Sequence, residues 1–198
     1  MVIEALHITA ALYLLAGLAA ISGITLPKAL FGRATRWLLA AGVILHGIAF
    51  ARLHTLPNPP QVTDLPSAVS LAAWLAVIVN LLLLRSGRLE GLAVLVAPLA
   101  FLGVFYESFA FHATAPAAAA DAGSWPHLHV VLASAGLALL GIAGLAGALF
   151  LAEDRALKAK RIPALRRGLP SLEALDRVNA MTIATGFPLL TCGVIAGM

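Results

Sequence analysis

The stretch PHLHVVLASAGLALLGIAGLAGALFL, running from Pro126 to Leu151, contains no Asp, Glu, Lys or Arg. A bilayer core about 30 Å thick calls for about 20 consecutive apolar residues from a helix that crosses it. This run exceeds that length. It is also too long for a barrel strand and lacks the in-out alternation such a strand needs. It therefore reads as a membrane-spanning helix, and the reading extends in both directions along the chain. Further apolar runs lie at about Ile3–Thr25, Trp37–Leu53, Ala68–Leu84, Leu89–Phe111 and Val178–Ala196, each bounded by charges, Pro or Gly.

Composition agrees. Of 198 residues, 61% are hydrophobic and 11% charged, and the mean hydropathy is +0.97. Soluble domains carry about 45–50% apolar and roughly 25% charged residues, so a soluble globular protein is excluded. Six spans leave no room for a large extramembrane domain. The expected architecture is all-α: a polytopic membrane helix bundle of six transmembrane helices, forming a single transmembrane domain over residues 1–198. The lone cysteine, Cys192, sits in an apolar run, so no disulfide framework and no CxxC motif is available.

Basic residues orient the bundle. Of the 13 Lys and Arg residues, all but Arg52 fall in the first, third and fifth connections, from Lys28 to Arg36, at Arg85 and Arg88, and from Arg155 to Arg177. Cytoplasmic loops hold the positive excess, so both termini are expected outside the cytoplasm, in a cell inner or plasma membrane. This placement also accounts for the pI near 9.8 without nucleic acid as a partner. No basic residue precedes the first apolar run, which reads as a retained helix rather than a signal peptide. The basic segment 152–177, broken at Pro163 and Pro170, is either a solvated loop near anionic headgroups or a docking site for a cytoplasmic partner.

The chain has no Ser/His/Asp arrangement, no HExxH and no glycine-rich phosphate loop. Its chemistry rests with six histidines: His7, His46, His54, His112, His127 and His129. His46 lies ten residues past Arg36, roughly 15 Å along its helix. An ionisable side chain in mid-span points to function, and imidazole is a common axial ligand of haem iron. The small flanking residues Gly42 and Gly47 would admit either a flat macrocycle or a neighbouring helix. His129 shares a helical face with Trp125, four residues earlier; the pair forms either an aromatic-walled ligand site or part of the interfacial aromatic belt. His129 and His7 sit at similar shallow depth. His46 and His129 differ in depth by roughly 9 Å, while two ligands on one iron hold their nitrogens only about 4 Å apart. Separate sites are thus easier than one shared iron. Gly141, Gly144 and Gly147 are spaced as a close-packing seam.

In order and spacing, several segments resemble the integral membrane cytochrome c assembly proteins, with their CcsA-like, CcmC-like and HemX/YpjD-like branches. Trp125-Pro-His-Leu-His129-Val resembles the family's W-x-x-x-H-V entry to a long helix. Leu169-Pro-Ser-Leu-Glu-Ala-Leu-Asp176 and Gly186-Phe-Pro-Leu-Leu-Thr191, followed by Gly193 and Gly197, are similar to its approach to the next span and to that span itself. Leu45-His46-Gly47 falls where the family places a membrane histidine. The resemblance implies haem handling, with haem (haem b) presented at the outer face to apocytochrome c by ligation rather than turnover. It implies His46 and His129 as iron ligands; His7, by its matching depth, and Trp125, by the helical face it shares with His129, are further candidate cofactor-binding residues. The family's tryptophan-rich motif, second outer histidine and last helices have no counterpart within the 198 residues. Missing ligands are therefore expected from His7, a second copy of the chain, or another cytochrome c assembly subunit. Two other functions fit the same residues: a HemX-like regulator acting on an enzyme of tetrapyrrole synthesis, and a b-type cytochrome electron-transfer subunit.

Overall fold

The computed structural model describes residues 2–26, 28–53, 55–56, 61–84, 90–113, 124–159 and 170–198. Among them are six long helices: α1 (Val2–Thr25), α2 (Lys28–Leu53), α3 (Leu65–Leu84), α4 (Ala93–Ala113), α5 (Ser124–Lys158) and α6 (Leu172–Ala196). Each is long and apolar enough to cross a membrane. The protein is an all-α, multi-pass membrane protein.

Several helices outrun the apolar stretches that announced them. α2 starts at Lys28 instead of Trp37, α5 continues to Lys158 past Leu151, and α6 begins at Leu172 instead of Val178. The added turns are polar, and helix geometry tolerates them once they leave hydrocarbon. Lys158 pairs with Asp154 at 2.8 Å and Arg177 with Glu173 at 2.9 Å, both four residues apart on the helix surface. Ser171 caps α6, its hydroxyl accepting from the Ala174 amide. Inside the spans, hydroxyls donate to carbonyls of their own helix, as Thr9 does to Ala5, Thr35 to Phe31 and Thr182 to Val178. No water is available there to satisfy them.

α1 packs between α2 and α4, α3 touches α2, α4 and α5, and α6 lies along α5. Leu6, Tyr13, Leu39, Val77, Val96 and Val104 are buried at the centre of the first four helices. Large apolar side chains such as Leu18, Ile44, Leu102, Phe109 and Phe187 remain exposed on the outside, as a lipid-facing surface requires. Pro98 is accommodated within α4 because Gly17 of α1 faces its ring; a Cβ there would stand 3.1 Å from it.

The glycine seam differs from the expected one. Gly141 and Gly144 have nothing within 4 Å of where a Cβ would stand. The close approach lies instead between α5 and α6, at Gly136, Gly186 and Gly193. A Cβ on Gly136 would come within 2.5 Å of the Leu190 amide nitrogen, and one on Gly193 within 2.6 Å of the Ala133 nitrogen. Spacing by three identifies a face rich in small residues, but which face meets a neighbour depends on the partner helix. A direct consequence can be measured by thermal melting in detergent. Gly136→Val pushes on backbone and should cost about 2 kcal/mol. Gly141→Val faces open space and should change stability by no more than about 0.5 kcal/mol.

Candidate functional site

His46 is fully buried where α1, α2 and α3 meet. Its Nε2 lies 2.9 Å from the Ser70 hydroxyl on α3, and its Nδ1 lies 3.3 Å from the Tyr13 hydroxyl on α1. A neutral imidazole has one donor and one acceptor nitrogen, and each hydroxyl can play either part. Both ring nitrogens are therefore engaged in either tautomer. The aromatic rings of Tyr13 and Trp74 stand edge-on to the imidazole, with centroids at 5.9 and 6.3 Å. The Trp74 indole N–H donates to the Val43 carbonyl at 2.9 Å, tying α3 to α2 just below.

Of the two uses open to the glycines beside His46, the structure shows helix packing. A Cβ on Gly42 would stand 2.5 Å from the Tyr13 ring, and one on Gly47 would stand 3.1 Å from Trp74. Neighbouring aromatic side chains fill the space a macrocycle would need. In this arrangement His46 does not fit as an iron ligand.

His129 is placed differently. It lies in the second turn of α5, half-buried, and its Nδ1 is 2.6 Å from the Gly193 carbonyl on α6. A carbonyl oxygen only accepts, so Nδ1 carries the proton and the neutral ring keeps its lone pair on Nε2. This is the arrangement by which proteins orient a metal-binding imidazole: one nitrogen donates to a carbonyl and the other is left to the metal. The imidazole also lies over Gly197, where a Cβ would sit 2.5 Å from Nδ1. Gly193 in α6 and Gly197, the residue that caps its C-terminus four positions on, thus provide the anchor and the space for one ring. By its tautomer and its anchoring to Gly193, His129 would suit a haem-iron ligand.

The two histidines are not brought together. His46 belongs to the α1–α2–α3 junction and His129 to the α5–α6 pair. Ser134 of α5 donates to the Ala68 carbonyl of α3 at 3.4 Å, which sets the register of these two helices. On that register His129, five residues before Ser134, lies roughly 10 Å nearer the N-terminal end of the bundle than Ser70 and its partner His46. His7 is exposed on α1, which packs mainly on α2 and α4. His127 is exposed one turn-half before His129. His54 and the side chains of Trp125 and His112 lie outside the described residues. Among the described residues no group of three or more His, Cys, Asp or Glu could hold a metal ion.

One polar residue went unnoticed in the sequence. Glu107 of α4 is buried, 3% exposed, inside a span. The Ser70 and Ser67 hydroxyls stand beside its carboxyl, but neither oxygen has a hydrogen bond of regular geometry. Ser70 also bonds to His46 Nε2, so its hydroxyl stands between the two side chains. The signal was available: Tyr106-Glu107-Ser108 is a polar interruption in the fourth apolar run, and an intramembrane carboxyl points to function by default.

No curated protein and no solved structure matches the chain. Residues 5–198, nearly its whole length, match the family of Cytochrome C assembly proteins, and the chain, with its six membrane helices, belongs to that family and its role in cytochrome c biogenesis.

Proposed function

We propose that the protein holds haem b through the Nε2 atom of His129 and presents it, at the end of the bundle that bears the N-terminus, to apocytochrome c. The observation that carries this reading is the hydrogen bond from His129 Nδ1 to the Gly193 carbonyl, which in the neutral ring keeps the lone pair on Nε2 for a metal. Haem, when bound, supplies the iron that accepts this lone pair. The chain contributes a fixed tautomer, a ring held against Gly197, and a half-open position at which a second chain can reach the same group. The role is binding and handover, without turnover. His46 is assigned to helix packing, because its nitrogens and its flanks are occupied. A second iron ligand would then come from another copy of the chain or from another assembly subunit. The excess of Lys and Arg at the opposite end supports a cytoplasmic position for that end, and hence a cell inner or plasma membrane with both termini outside. A b-type electron-transfer subunit with two imidazoles from one chain on one iron is disfavoured by the separation of His46 from His129.

Hemin titration of the protein purified in mild detergent tests the reading. Wild type should develop a histidine-ligated Soret band. His129→Ala should weaken binding at least tenfold and shift that band, and added imidazole should restore it in His129→Gly. An unchanged spectrum and affinity in His129→Ala would overturn the assignment.

A further inference from the structure

We propose that the groove between α2 and α3, at the basic end of the bundle, is a binding site for one anionic phospholipid. These two helices are held together toward the N-terminal end of the bundle by the His46–Ser70 and Trp74–Val43 hydrogen bonds. Beyond Val43 they leave a cleft of about 620 Å³. Its walls are apolar, with Ala40 on α2 facing Ile78 and Leu82 on α3. Its mouth carries Arg33 and Arg36, and Trp37 beside them is 75% exposed.

Each part matches a part of a lipid. The walls suit acyl chain and exclude polar ligands. The two arginines lie three residues apart on one helix face, and a guanidinium presents a planar fork of donors that fits phosphate oxygens. Arg36 uses only its Nε within its own helix, donating to the Gly32 carbonyl at 3.4 Å. An exposed indole next to arginines is the usual furniture of a headgroup region. Anionic lipids are enriched in the cytoplasmic leaflet, and basic pockets between membrane helices on that side bind their headgroups. Haem, with its own carboxylates, is the less suitable occupant: among the described residues no His, Cys or Met lines the cleft, so none of them offers iron a ligand there. This inference does not depend on haem binding at His129, some distance away on another pair of helices.

Native mass spectrometry of the full chain, released from nanodiscs containing equal phosphatidylglycerol and phosphatidylcholine, reads the site directly. Wild type should retain phosphatidylglycerol selectively, with one molecule surviving delipidation. Arg33→Ala/Arg36→Ala should reduce that retention about tenfold, and Arg33→Lys/Arg36→Lys should recover part of it. Ala40→Trp, which fills the apolar cleft and keeps both arginines, should also release the lipid. Equal retention of the two lipids by wild type overturns the proposal. So does loss in the arginine variants with full retention in Ala40→Trp, because the lipid would then be held by surface charge alone. Wild-type selectivity is read without any variant, so a poorly folded mutant does not obscure the result.

Discussion

Replacing His46 by alanine is expected to destabilise the bundle by about 4 kcal/mol while leaving hemin ligation intact. The imidazole joins α1, α2 and α3 through one side chain, with Tyr13 on one nitrogen and Ser70 on the other. Its removal empties a ring-sized volume in a fully buried position, and ring-to-alanine changes in cores cost about 3–5 kcal/mol. Two interhelical hydrogen bonds go with it, each worth about 0.6–1.7 kcal/mol in membrane proteins. Part of this is regained as Ser70 turns toward Glu107 or a backbone carbonyl. Thermal melting in detergent should show the loss, and His46→Gln should recover some of it because an amide can both donate and accept. The hemin spectrum supplies the second readout. If His46 is a packing residue, its alanine variant still yields the wild-type Soret band below the melting temperature, whereas His129→Ala does not. A variant that keeps its stability but loses the band would make His46 a ligand and would require Ser70 to release it when haem binds.

The reasons for this contrast between the histidines show which parts of the molecule could be read from residues in order. Span number and boundaries on the apolar side follow from the absence of charge over long runs, a local property, and the six helices lie where those runs are. On the basic side the helices run beyond the apolar stretches, to Lys28, Lys158 and Leu172, because hydropathy marks where hydrocarbon stops and not where backbone hydrogen bonding stops. The difference between His46 and His129 is not local at all. What distinguishes them is Ser70 and Tyr13 around one ring and Gly193, 64 residues away in the chain, beside the other. Residue type and depth alone favoured His46, the more deeply placed of the two. The spacing of Gly193 and Gly197, one helical turn apart, was the available hint that a flat group lies on that face of α6. The glycines at 141 and 144 show the converse: a regular pattern in sequence, with no neighbour in the fold.

Glu107 gives the other large expected effect, and its sign is opposite. A carboxyl buried to 3% exposure with no regular hydrogen bond at either oxygen is a net cost to folding, since unsatisfied buried polar groups cost about 1–3 kcal/mol each. Glu107→Met keeps the length of the side chain and removes both oxygens, so it should raise stability by about 3 kcal/mol. Glu107→Gln retains a polar head in the same place and should gain little. Such a cost persists where the group is used, and Glu107 stands beside Ser70, the hydroxyl that holds His46. The Met variant is therefore expected to melt at higher temperature and yet to support less covalent cytochrome c assembly in cells lacking the native protein, with Gln giving a similar defect at near-native stability. Higher stability with undiminished assembly would mark the carboxyl as a tolerated burden without a role. Lower stability in Glu107→Met would show that Ser67 and Ser70 satisfy it after all, and that the carboxyl joins α4 to α3 in the way that His46 joins α2 to both its neighbours.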